Sequence, residues 1–360
     1  MSRSAEVIRL IRRERVVDLA KRLIEIPSLT TEEGELADFL TVYFEEIGLE
    51  VKTMEVESGR SQVLGILKGE GKKSLMLNGH LDMDPLSGGW GRVPFSPSVE
   101  DGRLFGAGVV NMKAGLAALV SAARAISEAG TELLGDLWVA AVVGELQGGV
   151  GTKKLLDEGY VPSAAVVAEP THLDAVTVHA GLTQIALNVK GRSVHTSKAE
   201  EGINAILKMA RVVQALEGIS FTHTPREDLP GLPRLLTGSI VGGRGESHEL
   251  RGAYNVPDNC TAIVDVRFLP GQTVQGIVLD IEKLLNSLRS EDPELDVSIE
   301  EPPPPEFRCN RLSMAPLDVP RDEKIVRTIA RSHEAVTGSS PLVGASPPFS
   351  YTGNDTAQLW

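Results

Sequence analysis

Apolar residues recur at helical spacing in the first part of the chain. Residues 5–25 and 35–47 repeat them every three or four positions, which predicts two opening helices. Residues 111–128 are rich in alanine and lack proline, which predicts a further helix. Continuous apolar runs predict buried strands over 62–69, 72–82, 136–145 and 164–170. Such strands alternating with helices favour an α/β fold with a mixed, largely parallel sheet that helices cover on both faces.

The pattern changes after residue 174. Shorter segments predict strands over 183–191, 238–243 and 259–270 and helices over 199–216 and 273–288. This order is that of a small α+β, ferredoxin-like unit with an antiparallel sheet. We therefore predict an inserted domain at 175–295 between two parts of a larger domain, 1–174 and 296–360. After a stiff proline run, residues 322–337 are expected to be helical.

The composition excludes several classes of protein. The 360 residues are 42% hydrophobic and 24% charged, which is typical of globular chains rather than disordered or fibrous ones. A formal net charge of -13 would repel a phosphate backbone, so we expect no nucleic-acid partner. The N-terminal segment is charged, and no window approaches the roughly 18 apolar residues of a membrane span, so we expect no membrane association. The acidic segment 30–40 is expected to lie on a solvated helical face.

The chain has two cysteines, Cys260 and Cys309, which are too few for a disulfide framework or for a cysteine-based zinc site. A reducing compartment is therefore the expected location, and we predict a cytoplasmic protein. Any bound metal ion must then use histidine and carboxylate ligands.

Three of the predicted apolar strands end in polar residues that suit catalysis. His80 and Asp82 follow the run LMLNG. Glu145 follows WVAAVVG, and Glu169 follows AAVVA. Because ligands bind beyond the carboxyl ends of strands in open α/β sheets, these side chains are expected to converge. His80 and Asp82 point the same way on an extended chain, so His80 can bind a metal ion while Asp82 supports it. Taken singly, each residue also fits a solvated loop position.

Four segments stand in an order and spacing that resemble a known family: GHLDMDP, GAGVVNMKAGLAA, GELQGGVGT and AEPT. The family is the metal-dependent one of acetylornithine deacetylase, succinyl-diaminopimelate desuccinylase, aminoacylase and glutamate carboxypeptidase. The resemblance spans essentially the whole chain. It implies hydrolysis of an amide-type C–N bond in a small N-acylated amino acid or dipeptide-like substrate. It also implies a homodimer joined through the inserted domain, and a site for two divalent ions.

The resemblance assigns roles to the residues at the strand ends. His80 and Glu169 match the ligands of one of the two ions. Glu145 matches the general base, which deprotonates water and passes the proton to the leaving nitrogen.

Two departures from the family pattern remove negative charge. Asn111 stands where the family has a bridging aspartate, and Leu146 stands where it has a second glutamate. Because two close dications need several carboxylates to offset their repulsion, we expect one divalent ion per chain, either zinc, manganese or cobalt. His80 and Glu169 would bind it, and Asn111 would offer a neutral amide oxygen. The family also continues past a segment like GNDT to a histidine ligand. We therefore expect that the C-terminal part of the catalytic domain is truncated here or that this homologue lacks that part.

Three residues of the inserted domain resemble substrate-contacting residues of the family. His195 in GRSVHTS matches a histidine that reaches into the site of the partner subunit and donates to the developing oxyanion. Arg267 in DVRFLPG matches an arginine that grips the substrate carboxylate. Asn255 in NVPD matches a substrate contact, in a motif one residue shorter than the commoner form. A strand-end histidine and a surface arginine are the plain alternatives.

We therefore predict a metal-dependent hydrolase that cleaves a C–N bond of a small molecule, with Glu145 as general base. Hydrolysis of a different C–N bond, such as that of an aryl amine, is one alternative, because a single ion offers one Lewis acid instead of two. A catalytically silent, dimeric ligand-binding homologue is the other alternative.

Overall fold

A computed structural model describes residues 3–251, 254–307 and 312–360 of the chain. Cys309 therefore lies outside the described residues. The helices are α1 (Arg3–Leu10), α2 (Arg13–Glu25), α3 (Gly34–Glu46), α4 (Ala114–Glu128), α5 (Val150–Asp157), α6 (Ala205–Leu216), α7 (Val274–Glu291), α8 (Lys324–Thr337) and α9 (Thr356–Leu359). A π-helical turn spans Val109–Lys113, and 3-10 turns span Thr196–Glu201, Pro305–Phe307 and Phe349–Tyr351.

The strands are β1 (Glu50–Glu57), β2 (Arg60–Leu67), β3 (Ser74–His80), β4 (Ser98–Glu100), β5 (Arg103–Phe105), β6 (Asp136–Val142), β7 (Ala164–Val167), β8 (Ala175–Val176), β9 (Val178–His179), β10 (Gly181–Lys190), β11 (Arg234–Gly243), β12 (Asn259–Phe268), β13 (Asp296–Glu300), β14 (Leu317–Asp318) and β15 (Val343–Gly344). The chain divides into two compact units. The first unit is Met1–Ala175, Val319–Val343 and Asn354–Trp360, and the second is Val176–Asp318 and Gly344–Gly353. The chain leaves the second unit later than the predicted residue 295, because β13 pairs with β10 in its sheet.

A five-stranded sheet in the order β1-β2-β6-β3-β7 forms the centre of the first unit. β3 runs parallel to β6 and β7, whereas β2 is antiparallel to β1 and β6. The predicted α/β class with a mixed sheet is confirmed, although parallel and antiparallel pairs are equal in number. Strand β1 was not predicted. It lies at the edge of the sheet, and charged side chains interrupt its apolar residues.

Helices cover both faces of this sheet. On one face, Leu77 and Val139 pack in a core with residues of α2, α3 and α4. On the other face, Met76 and Ala140 pack with Leu155 of α5. This alternation along each strand is the pattern expected of a sheet that is buried on both sides. The single helix predicted over 5–25 is divided into α1 and α2, which end and begin on either side of residues 11–12.

The segment that contains helix α4 is unusually apolar, which bears on the expected absence of a membrane span. Within the described residues, Val109–Glu128 is long and apolar enough to cross a membrane by length and composition alone, and 44% of its apolar window is buried. It is not an unbroken apolar run, because Asn111, Lys113 and Arg124 interrupt it. Packing explains the apolar composition, since Leu116, Ala117 and Val120 are fully buried in the core of the first unit.

The second unit contains a four-stranded antiparallel sheet in the order β11-β12-β10-β13. Helices α6 and α7 cover one face, where Met209 and Ile281 pack against Ile185 and Val264. In chain order these elements are βαββαβ, and the strand order is that of a ferredoxin-like fold. The predicted α+β character of this region is confirmed.

The parallel strands of the first unit determine where polar side chains meet. Strand β3 ends at His80, β6 ends at Val142 and β7 ends at Val167. Because these strands are parallel neighbours, the residues that follow them emerge at the same edge of the sheet.

Candidate active site at the strand ends

His80 and Asp82 lie in the interior at the end of β3, and each is at most 2% exposed. The Nδ1 atom of His80 is 2.8 Å from the backbone oxygen of Asp82 and 3.5 Å from its Oδ1 atom. A carbonyl oxygen can only accept a hydrogen bond, so Nδ1 carries the proton and donates it. The ring is thereby fixed, and Nε2 is the nitrogen left for chemistry.

The Asp82 carboxylate joins two strand ends. Its Oδ1 and Oδ2 atoms accept hydrogen bonds from the backbone N–H groups of Glu145 at 3.0 Å and Leu146 at 3.1 Å. Burial raises the pKa of Asp82, but the His80 imidazole and these two N–H groups outweigh it and leave the pKa below its usual value. Asp82 therefore remains ionised and holds the backbone of Glu145 beside His80.

The Nε2 atom of His80 faces two oxygen atoms. It lies 3.0 Å from Oδ1 of Asn111 and 3.6 Å from Oε1 of Glu169. When Nδ1 carries the single proton of a neutral ring, Nε2 has only a lone pair, and both oxygens are acceptors as well. Three electron-rich atoms facing one another need a proton or a cation between them. Oε1 of Glu169 is also buried and accepts no hydrogen bond.

The atoms that face Nε2 of His80 are of the types that bind a divalent metal ion. Ligands at about 2.0–2.1 Å from a tetrahedral zinc ion lie roughly 3.3 Å from one another, which matches the two distances from Nε2. Among the described residues, no group of three or more His, Cys, Asp and Glu side chains has the geometry to hold a metal ion. The available set is thus His80 and Glu169 with the amide oxygen of Asn111, and Leu146 adds no donor.

Negative charge is concentrated around His80. Burial raises the pKa of Glu145 well above its usual value, with Glu169, Asp355 and Asp82 adding to the effect and His80 opposing it. Burial likewise raises the pKa of Glu169. Burial would lower the pKa of His80, but Asp82, Glu169 and Glu145 together raise it well above its usual value. A cluster of buried acids around one base is typical of functional sites and of cation sites.

Asp355 is a member of this cluster that sequence analysis did not select. It is fully buried, and burial raises its pKa to about 7. The signal available in the sequence was its place in the segment GNDT, more than 180 residues from the other members. Gly149 makes room for it, because a Cβ atom there would lie 2.6 Å from Oδ1 of Asp355.

A buried ion pair holds the loop that carries Glu145. Arg60 and Glu33 are 3% and 0% exposed, and the guanidinium donates to both carboxylate oxygens of Glu33, at 2.7 and 2.5 Å. Arg60 also donates to Oε1 of Gln147 at 2.5 Å. The expectation that the acidic segment 30–40 is a solvated face is therefore wrong for Glu33. Its carboxylate points inward because Arg60 meets it there with bidentate geometry.

A buried lysine fixes the turn that carries Asn111. The Nζ atom of Lys113 donates to the backbone oxygens of Leu23 at 2.8 Å and Ile26 at 2.7 Å. These carbonyls belong to the C-terminal end of α2, where helices leave acceptors without partners and favour positive charge. Burial lowers the pKa of Lys113 to about 8. The contact joins α2 to the Val109–Lys113 turn.

A cavity of about 310 Å³ opens beside His80 in the first unit. Its walls are formed by His80, Met83, Asp84, Pro85, Leu86, Ser87, Trp90, Gly106, Gly108, Val109, Val110, Asn111 and Leu146. This volume suits part of a small molecule.

The other predicted site residues belong to the second unit. His195 precedes the Thr196–Glu201 turn, and its Nδ1 atom accepts a hydrogen bond from the backbone N–H of Ser197 at 3.1 Å. A backbone bridge connects His195 with Asn255. Arg267 forms an ion pair with Asp265 at 2.6 Å and lines a separate cavity of about 670 Å³. His195, Asn255 and Arg267 all lie in the second unit.

Comparison with known proteins identifies the family of the chain. A family profile described as peptidase family M20/M25/M40 matches residues 76–359. The chain is 28% identical over 303 residues to N-formyl-4-amino-5-aminomethyl-2-methylpyrimidine deformylase of Halalkalibacterium halodurans, covering 78% of this chain and 69% of the relative. It is 29% identical over 309 residues to acetylornithine deacetylase of Pectobacterium carotovorum, covering 81% of this chain and 78% of the relative.

Solved structures show the same fold. The dipeptidase Dug1p of Saccharomyces cerevisiae is similar with a TM-score of 0.75 at 13% identity, over 96% of this chain and 88% of that one. The metallo-carboxypeptidase Sso-CP2 of Sulfolobus solfataricus is similar with a TM-score of 0.74 at 16% identity, over 95% and 87% of the two chains. The match to the family profile over most of the chain confirms the resemblance seen in the sequence motifs, and the chain belongs to peptidase family M20/M25/M40, whose members are metal-dependent hydrolases of C–N bonds.

Proposed function

We propose that the protein hydrolyses an amide-type C–N bond of a small molecule, with Glu145 as the general base. The observation that carries this proposal is the meeting of three strand ends, where Oε1 of Glu169 lies 3.6 Å from Nε2 of His80 and Asp82 holds the backbone of Glu145. The raised pKa of Glu145 supports it, because a base works best when its pKa is close to the pH of the reaction. Glu145 would take a proton from water and deliver it to the leaving nitrogen.

One divalent ion, either zinc, manganese or cobalt, belongs to this proposal. His80, Glu169 and Asn111 would hold it, since Nε2 of His80 faces both oxygens at 3.0 and 3.6 Å. When bound, such an ion supplies a Lewis acid that polarises the scissile carbonyl and makes water more acidic. Asp82 orients His80 and fixes the backbone of Glu145, so it would act by positioning both groups.

The second unit would contribute to binding and assembly. We propose a homodimer through this unit, supported by the free edge of β11, where Leu236 and Ile240 are exposed. In this arrangement His195 would donate to the developing oxyanion, Arg267 would grip a substrate carboxylate, and Asn255 would contact the substrate. A cytoplasmic location is part of the same proposal, and the free, buried thiol of Cys260 is consistent with it.

The substrate class is a small amide. The names of two relatives describe removal of a formyl group from an aminomethylpyrimidine and of an acetyl group from ornithine. We therefore propose an N-acylated small molecule as substrate, and the catalytically silent homologue becomes one outcome of the test.

The test compares wild type with Glu145→Gln on a panel of N-formyl and N-acetyl amino acids, N-acylated aryl amines and an N-formyl aminomethylpyrimidine. Each compound is assayed with added zinc, manganese or cobalt. We expect the variant to lower kcat by about 10²–10⁴-fold and to retain substrate binding. Glu46→Gln, at an exposed position of α3, is the matched control and should leave kcat unchanged. Equal turnover by wild type and Glu145→Gln, or no turnover of any compound, would contradict the proposal.

A further inference from the structure

We infer that the cavity beside His80 binds a neutral aromatic or branched apolar group of the substrate, with Leu146 and Trp90 determining that preference. This inference rests on the proposed function, because it names the kind of amide that the site would accept. It goes further in predicting which part of the substrate lies next to the general base.

The walls of the cavity are mainly apolar. Leu146, Trp90, Met83 and Val110 contribute carbon surface, and the volume of about 310 Å³ is enough for a ring or a branched chain but not for a long peptide. Trp90 and Val110 are 42% and 71% exposed. Large apolar side chains that stay exposed around a concave site are a feature of ligand-binding grooves.

Leu146 sits close to the reacting centre. Its backbone N–H and that of Glu145 are both held by the Asp82 carboxylate, at 3.1 and 3.0 Å. The position of the Leu146 side chain is therefore tied to that of the base. A group that contacts Leu146 would lie beside the bond that Glu145 acts on.

Charge selects against an acidic group in this cavity. In the described part of the chain, no lysine or arginine lines it, and Asp84 stands on its wall. Behind it lie the buried carboxylates of Asp82, Glu145 and Glu169. One divalent ion would offset only part of the negative charge of these four carboxylates. A carboxylate on the substrate would therefore still meet repulsion that burial strengthens, whereas a neutral ring gains from leaving water. The carboxylate of an N-acyl amino acid would have to lie elsewhere.

The experiment measures binding without requiring turnover. Affinities of benzamide, acetamide and 4-carboxybenzamide are determined by isothermal titration calorimetry with wild type, Leu146→Glu and Trp90→Ala. Benzamide should bind about tenfold or more tighter than acetamide, because the ring removes apolar surface from water. It should also bind about tenfold or more tighter than 4-carboxybenzamide, because that compound brings a second charge close to the buried carboxylates.

The variants locate the site. Leu146→Glu and Trp90→Ala should each weaken benzamide binding by about tenfold, through an added charge and through lost ring contact respectively. Leu134→Glu and Trp360→Ala make the same changes at exposed positions outside the cavity and should leave the affinity unchanged. If circular dichroism shows that Leu146→Glu does not fold, the affinities of the three ligands for wild type and of benzamide for Trp90→Ala still test the inference.

Equal affinities for benzamide and acetamide, tighter binding of 4-carboxybenzamide, or unchanged affinity in the Trp90→Ala variant would overturn the inference. Its failure is distinguishable from failure of the proposed function. If the inference alone is wrong, Glu145→Gln still abolishes turnover while the benzamide preference is absent. If only the proposed function is wrong, no amide is hydrolysed, yet benzamide still binds in a Leu146-dependent manner.

Discussion

Removing the guanidinium group of Arg60 is expected to destabilise the first unit strongly. In the Arg60→Met variant, the carboxylate of Glu33 would remain 0% exposed without its bidentate partner. Leaving one buried charge uncompensated costs about 3–5 kcal/mol of the free energy of unfolding. The contact from Arg60 to Gln147 would be lost as well, so the loop that carries Glu145 would lose an anchor.

A double variant separates the two consequences. Replacing both partners, as Arg60→Met with Glu33→Leu, removes the uncompensated charge and should bring the free energy of unfolding back to within about 1–2 kcal/mol of wild type. The anchor of Gln147 remains absent in the double variant. We therefore expect kcat to stay low while the stability recovers.

Urea unfolding followed by tryptophan fluorescence measures the effect in the relevant unit. The three tryptophans, Trp90, Trp138 and Trp360, all lie in the first unit. Lys154→Met breaks a surface ion pair with Glu158 and serves as the control, with no measurable change expected. A loss below about 1 kcal/mol in Arg60→Met, or a double variant as unstable as the single one, would show that Arg60 does not compensate a buried charge on Glu33.

Two further predictions concern stability. Burial lowers the pKa of His179 to about 4, so only the unfolded chain takes up this proton between that pH and about 6.5. The free energy of unfolding should fall by about 3 kcal/mol as the pH is lowered through this window. Urea midpoints of the His179→Gln variant, measured over the same pH range, should lack this fall. The same pH dependence in the variant and in wild type would count against the prediction. Gly149→Ala should cost about 1–3 kcal/mol, because Gly149 has φ +71 and its Cβ would lie 2.6 Å from Asp355. Gly245→Ala, with φ +66 and open space around it, should cost less in the same thermal unfolding assay, and equal losses would exclude the contact.

The sequence revealed the elements whose pattern reports burial directly. Strand β3 and the residues after it, His80 and Asp82, stood out because an apolar run ended in ligand-type side chains. Strand β1 was not recognised in the sequence, because an edge strand with one solvent-exposed face lacks a continuous apolar run. Most of the ferredoxin-like unit was predictable because its helices and its strands β10 and β12 pack toward one core, but the short strand β13 was not predicted.

Long-range partners were the part that the sequence could not supply. Glu33 reads as one more acid in the segment TTEEGELADFL, and only the fold brings it to Arg60. Asp355 reads as a polar loop residue, yet the fold buries it beside Gly149. Both contacts join residues from different elements, and no periodicity within either segment records them. Asn111 and Leu146 were visible as departures from a motif, but their contribution to a ligand set and to a cavity wall required coordinates.

We propose that His80 and Glu169 form a site for one divalent ion, with Asn111 beside them. Its most direct test is the metal content of purified protein after incubation with zinc, manganese or cobalt and removal of free metal, measured by inductively coupled plasma mass spectrometry. His333→Ala, at a histidine of α8, is the matched control and should bind metal as wild type does. We expect about one ion per chain in wild type and loss of that ion in His80→Ala, since the imidazole supplies the one nitrogen ligand. Two ions per chain, no ion in wild type, or an ion retained by His80→Ala would rule out this one-ion site.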